Sequence, residues 1–274
     1  MQSPFNIRNR KLQLTFTGLA AAAIAVTVIP SAVAAPTTSR HPKPTIVLEH
    51  GAWADGSSWD GVVTRLQADG YTVDVPPNPL RGPDSDSVYL ASYLQTVSGP
   101  IVLVGQSYGG FVISDAATGN PNIKALVYVD AYIPAQGETI NSINTQFPGS
   151  QLVPSALTFV PSAGGVVDAY IQPNLFRSIL ANDLPAKRAA ELAATQRPIA
   201  ASALTEPAGP PAWASIPSWD VIGTEDHAIP VAAQEFMAER ANATVTEIKA
   251  SHLSMVSQPG KVTAIIETAA HKTH

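Results

Sequence analysis

No cysteine occurs among the 274 residues. Disulfides, thiolate metal sites and a lipid-modified cysteine anchor are therefore excluded, and stability has to come from a buried core. A cluster of Lys and Arg is missing as well. The formal charge is −5, and losing Arg8, Arg10 and Lys11 with the leader described below takes it to −8. An acidic chain without a basic patch is a poor partner for nucleic acid or an anionic membrane, so neither is expected. Internal repeats are absent, and no low-complexity tract lies outside the leader. What the chain does have is apolar material, 45% of its residues, over a length that suits one α/β domain better than two.

Residues 1–35 read as a targeting segment. Arg8, Arg10 and Lys11 form a basic start, 12–29 an apolar stretch, and Ala32-Val33-Ala34 a small-residue cleavage pattern. The stretch is about long enough to span a bilayer, but Thr15, Thr17, Gly18 and Thr27 weaken it as a permanent anchor. The expectation is a cleaved signal peptide and a secreted, periplasmic or cell-envelope protein, with no stable membrane association after cleavage. Residues 36–274 then make up the folded domain.

From Thr45 onward, short apolar runs alternate with helical spacings. Strands are predicted over 45–49, 71–75, 101–104, 123–129, 217–222 and 244–248, and helices over 59–69, 88–97, 111–118, 231–240 and 261–270. Connections this long rule out hairpins, so the alternation predicts a doubly wound α/β fold with a mostly parallel sheet of about six strands. One stretch breaks the rhythm. Residues 134–216, roughly eighty, hold helical pieces at 166–180 and 185–196 and proline-rich connections, without a convincing buried strand. They are expected to form a helical cap inserted between the fourth and fifth strands.

The third strand runs into Gly105-Gln106-Ser107-Tyr108-Gly109. An apolar run that stops at Gly-x-Ser-x-Gly and continues as a helix predicts a turn too tight for side chains beside the serine, with its hydroxyl exposed as a nucleophile. Such a serine needs a base, and the base needs an orienting acid. Of the six histidines, His41, His271 and His274 lie near the ends as solvated bystanders, and His227 simply follows an acid. His252 follows the last strand, where a loop can reach back over the carboxyl ends of the sheet, and is the predicted base. The acid is predicted to be Asp226, after the fifth strand, in preference to Glu225. Asp130, which ends the fourth strand, is the serious alternative. Donors for an oxyanion are expected from the backbone N–H groups of Tyr108 and, in the His50-Gly51-Ala52-Trp53 loop, Ala52. His50 is read as structural, and Trp53, Tyr132 and Phe176 as candidates to line an apolar pocket.

These features together resemble the α/β-hydrolase fold family from Thr45 to Ala270. His50-Gly51-Ala52-Trp53, followed by Gly56-Ser57-Ser58-Trp59 and a helix ending Leu66-Gln67-Ala68-Asp69-Gly70-Tyr71, is most similar to a bacterial branch of esterases related to plant methylesterases and hydroxynitrile lyases. The leading antiparallel hairpin of larger members is expected to be absent. Gln106 stands where many members carry His, at a position expected to play no catalytic part. The resemblance implies a serine hydrolase acting on small to medium carboxylic esters, with no metal and no organic cofactor. It also leaves open a cofactor-free haloperoxidase or perhydrolase, a hydroxynitrile-lyase-like activity, or a ligand-binding protein that has kept the triad. Neither the substrate nor the oligomeric state is written in these motifs.

Overall fold

Ile46, Val47 and Leu48, and Ile101 through Val104, have no exposed surface at all. Strands buried on both faces cannot alternate apolar with polar, which is why these segments read as unbroken apolar runs. The computed structural model describes residues 43–272, and the predicted leader, His41 and His274 lie outside them. The chain begins with β1 (Thr45–Glu49), α1 (Asp60–Ala68), β2 (Val73–Asp74), α2 (Pro83–Leu94), β3 (Ile101–Gln106), α3 (Gly109–Ala116) and β4 (Ile123–Val129). The inserted region supplies α4 (Ile140–Gln146), β5 (Leu157–Pro161), β6 (Val167–Ile171), α5 (Pro173–Leu180), α6 (Ala186–Thr195) and β7 (Ile199–Ala200). The fold closes with β8 (Ser218–Gly223), α7 (Val231–Arg240), β9 (Thr244–Ile248), α8 (Ser254–Ser257) and α9 (Pro259–Lys272).

The main sheet has six strands in the order β2-β1-β3-β4-β8-β9, every pairing parallel. Helices α3 and α9 both pack on β3 and β4, with α2 against α3 and α1 against α9, so helical layers cover both faces. This is the doubly wound, parallel arrangement expected from the alternation. The chain leaves β1 toward β2 on one side and resumes at β3 on the other. The carboxyl ends of β1 and β3 are thus the switch point at which ligands bind in open sheets of this kind.

The cap departs from the all-helical expectation. It carries a second, antiparallel sheet in the order β5-β6-β7, with Leu157 opposite Ile171 and Asp168 opposite Ala200. The stretch 166–180, expected as one helix, divides at Gln172. Pro173 forces an extended residue before it and takes the first helical position itself, so β6 ends and α5 begins there. The sheet escapes a search for buried strands because β5 is exposed over most of its length.

Candidate active site

Ser107 has a φ of 54°, a left-handed conformation that costs a non-glycine residue stability and is held only by its surroundings. The glycines beside it explain how. A Cβ on Gly105 would lie 2.6 Å from the Gly109 carbonyl oxygen, and one on Gly109 would lie 2.7 Å from that of Glu49. The serine is buried, yet its Oγ lies 2.8 Å from Nε2 of His252. On the other side of the ring, Nδ1 lies 2.7 Å from Oδ2 of Asp226. The residues predicted as nucleophile, base and acid, 145 and 26 positions apart along the chain, are thus joined by one chain of hydrogen bonds.

Asp226 is held from several sides. Its Oδ1 accepts the N–H groups of Ala228 at 2.7 Å and Ile229 at 3.0 Å, and its Oδ2 accepts Gln234 Nε2 at 2.9 Å. Asp130, the alternative acid, is directed elsewhere. Its Oδ1 accepts Gly223 N–H at 2.9 Å and its Oδ2 accepts Ser254 N–H at 3.1 Å, tying the turns after β8 and β9 together. Burial first, then the nearby Asp226 charge, push the Asp130 carboxyl up to about 8. Burial opposes a charge on His252, but the Asp226 carboxylate, its hydrogen bond and Asp130 outweigh that, and the ring is held above its ordinary 6.5.

The loop after β1 meets the serine from the neighbouring strand. Gly51 N–H donates to Oε1 of Gln106 at 3.1 Å, Trp53 N–H to the Arg197 carbonyl at 3.0 Å, and Ser107 N–H to the Val129 carbonyl at 3.2 Å. The N–H groups of Ala52 and Tyr108, the two predicted oxyanion donors, have no acceptor among the described residues. His50 braces the loop, its Nδ1 donating to the Gly51 carbonyl at 3.0 Å and its Nε2 accepting Asn78 N–H at 3.1 Å. Burial takes its pKa down to about 4, so the ring stays neutral in that double role.

A small cavity of about 10 Å³ adjoins Ser107, with Ala52, Trp53, Tyr108, Tyr132 and aliphatic cap residues in its wall. Phe176, expected in that wall, is absent from it. The strongly amphipathic α5 turns Phe176, Ile179 and Leu180 into the core, where Phe176 has no exposed surface.

Gln106 proves more than a spacer. While its Oε1 receives Gly51, its Nε2 donates 3.0 Å to the His252 carbonyl, so one buried amide links the β1 loop to the histidine loop across 55 and 146 positions. Only a group with one acceptor and one donor on a planar carbon fits both backbone partners. Asp183, between α5 and α6, was likewise invisible in the sequence. Its carboxylate accepts Ser251 N–H at 3.1 Å and the Ser251 hydroxyl. Neither residue belongs to a local motif, and a distant partner leaves no mark on sequence spacing.

Comparison with known proteins adds the lineage. A model described as the alpha/beta hydrolase family matches residues 46–265. The carbendazim hydrolyzing esterase of Nocardioides sp. (strain SG-4G) is 32% identical over 110 aligned residues, which cover 35% of this chain and 46% of that protein, just under half its length. The pyrethroid hydrolase of Sphingobium wenxiniae is 27% identical over 246 residues, covering 81% of this chain and 85% of that one. Among solved structures, polyneuridine aldehyde esterase superposes with a TM-score of 0.71 at 19% identity, over 83% of this chain and 99% of its own.

Proposed function

The chain belongs to the alpha/beta hydrolase family, and on that premise we propose that it is an exported serine esterase acting on small to medium carboxylic esters. The observation that carries this reading is the unbroken chain from Ser107 through His252 to Asp226, at 2.8 and 2.7 Å, beside two unspent backbone N–H groups. Relatives named for hydrolysing carbendazim and pyrethroids support it. The basic start and the small-residue pattern of 1–35 support export.

In the proposed reaction Ser107 Oγ attacks the ester carbonyl carbon as its proton passes to His252 Nε2. Asp226 accepts Nδ1–H, which fixes the tautomer and stabilises the imidazolium. The N–H groups of Ala52 and Tyr108 receive the oxyanion, where the loss of one donor typically costs about 10²–10³ in rate. The carbon–oxygen bond then breaks as His252 returns the proton to the departing alkoxide. Water, deprotonated by the same ring, attacks the acyl-enzyme and frees the carboxylic acid and Ser107. Gln106 holds the oxyanion loop and the His252 backbone at their working separation throughout.

Hydrolysis of p-nitrophenyl acetate tests the reading. Ser107→Ala and His252→Ala are expected to lower kcat by about 10⁴-fold or more. A base must be neutral to act, and a His252 pKa above 6.5 places the acid limb of kcat/KM above that value, with activity falling as pH drops through it. Wild-type turnover in either variant would refute the proposal.

A further inference from the structure

The cavity at Ser107 is small. At about 10 Å³ it lies far below the roughly 300–1,000 Å³ of pockets that enclose a whole small ligand. A second cavity of about 170 Å³ adjoins it, walled by Asn141, Asn144, Pro154, Leu157, Phe159 and Ala201. The two share Ile140, Leu152 and Leu204. These aliphatic side chains come from three separate cap segments: α4, the stretch before β5 and the turn after β7. A hydrogen bond of 3.2 Å from the Tyr132 hydroxyl to Asn144 Oδ1 also runs between the two chambers.

Two further observations indicate what the outer chamber takes. The inner wall includes Ala52, Ser107 and Tyr108 but not His252. A departing alkoxide has to lie against His252 Nε2, so the inner cavity receives the acyl side of the ester. No charged side chain lines either chamber, and Phe159, nearly half exposed, gives the outer one an apolar rim. Burying a charge there would go uncompensated.

We propose that the outer chamber is an acyl-chain subsite, which an uncharged apolar acyl group reaches by passing Leu204, with Ile140 and Leu152 completing the gate. The inner cavity has too little free space for an acyl group as it stands, so acyl groups are accepted by displacing that partition. The alcohol side leaves by another route. This inference rests on Ser107 being the acyl acceptor, and its test separates the two.

Two p-nitrophenyl or alkyl series decide it, one lengthening the acyl group from acetate to decanoate and one lengthening the alcohol of an acetate ester. In Leu204→Trp the ratio of kcat/KM for the longest over the shortest acyl substrate is expected to fall about tenfold or more, and in Leu204→Ala to rise. The corresponding ratio in the alcohol series is expected to move less than about twofold. Ratios that shift alike in both series, or in neither, overturn the subsite. Leu152→Trp fills the gate from a different segment and replaces Leu204→Trp if that variant does not fold. A short alkyl phosphonofluoridate titrates Ser107 in parallel. No labelling of the wild type overturns the nucleophile and the subsite with it, whereas labelling with unshifted ratios overturns the subsite alone.

Discussion

At the rim of the sheet, Ser107, His252 and Asp226 are held by glycines without room for a Cβ and by buried polar groups that pair with one another. Above them the cap is attached differently. It meets the core through tethers at separate loops: Trp53 Nε1–H to the Ala169 carbonyl at 2.9 Å, Arg81 to Asp168 at 2.7 Å, and Asp183 to Ser251. Its outer sheet leaves Phe159, Val160 and Val167 partly in solvent. The rim therefore tolerates few substitutions, because its buried polar groups are satisfied only by particular partners in fixed places. A substitution in the cap touches one tether at a time, since these hydrogen bonds to the core come from separate loops. On the proposed function, chemistry falls to the tightly held rim and selection among substrates to the cap.

The sharpest way to break that contrast is at the two buried acids. Asp226→Asn is expected to lower kcat by about 10⁴-fold, since an amide favours the wrong tautomer of His252. Asp130→Asn should lower it by at most about tenfold and show mainly as lost stability, about 1–3 kcal/mol in urea unfolding, because its carboxylate serves two backbone N–H groups. Equal kinetic losses would mean that the acid has been misassigned.

A smaller effect is expected at Gln106. Gln106→Leu leaves Gly51 N–H and the His252 carbonyl without their buried partner, and kcat should fall by about 10–10² with KM within about threefold. Gln106→Glu keeps an acceptor for Gly51 but sets oxygen against oxygen at His252, so its kcat should lie no higher than midway on a logarithmic scale. A KM effect with kcat intact would place Gln106 among the packing residues instead.

The mildest loss is predicted at a tether to the cap. Arg81→Ala removes a partly exposed ion pair and the bond to the Pro198 carbonyl, expected to cost ~1 kcal/mol or less and a few degrees of Tm. KM should rise by about two- to fivefold while kcat stays within twofold. A collapse of kcat would show that cap and rim are one unit, and the contrast drawn above would not hold.

How much of this was legible beforehand follows the range of the interactions. Strands at 45–49, 123–129 and 244–248 and the helix at 231–240 lie where the patterning placed them, because each is announced by local periodicity and by the Gly and Pro that end it. The cap sheet was missed where exposure removed the apolar signal and Pro173 divided an apparent helix. Phe176 was misplaced because helical spacing identifies an apolar face without saying what that face meets.

The sequence by itself determined the alternation of strand and helix, the turn at Ser107 with its flanking glycines, and the short set of acids and histidines able to serve it. These are properties of neighbouring residues, and backbone sterics and hydrophobic periodicity act at that range. Only the tertiary structure brought Asp226 rather than Asp130 to His252, spent Gly51 N–H on Gln106 while sparing that of Ala52, and set two apolar chambers on either side of Leu204. Those outcomes depend on which loops the parallel strand order gathers at one edge of the sheet. Hydrogen bonds between residues 55 to 146 positions apart form only once that edge exists.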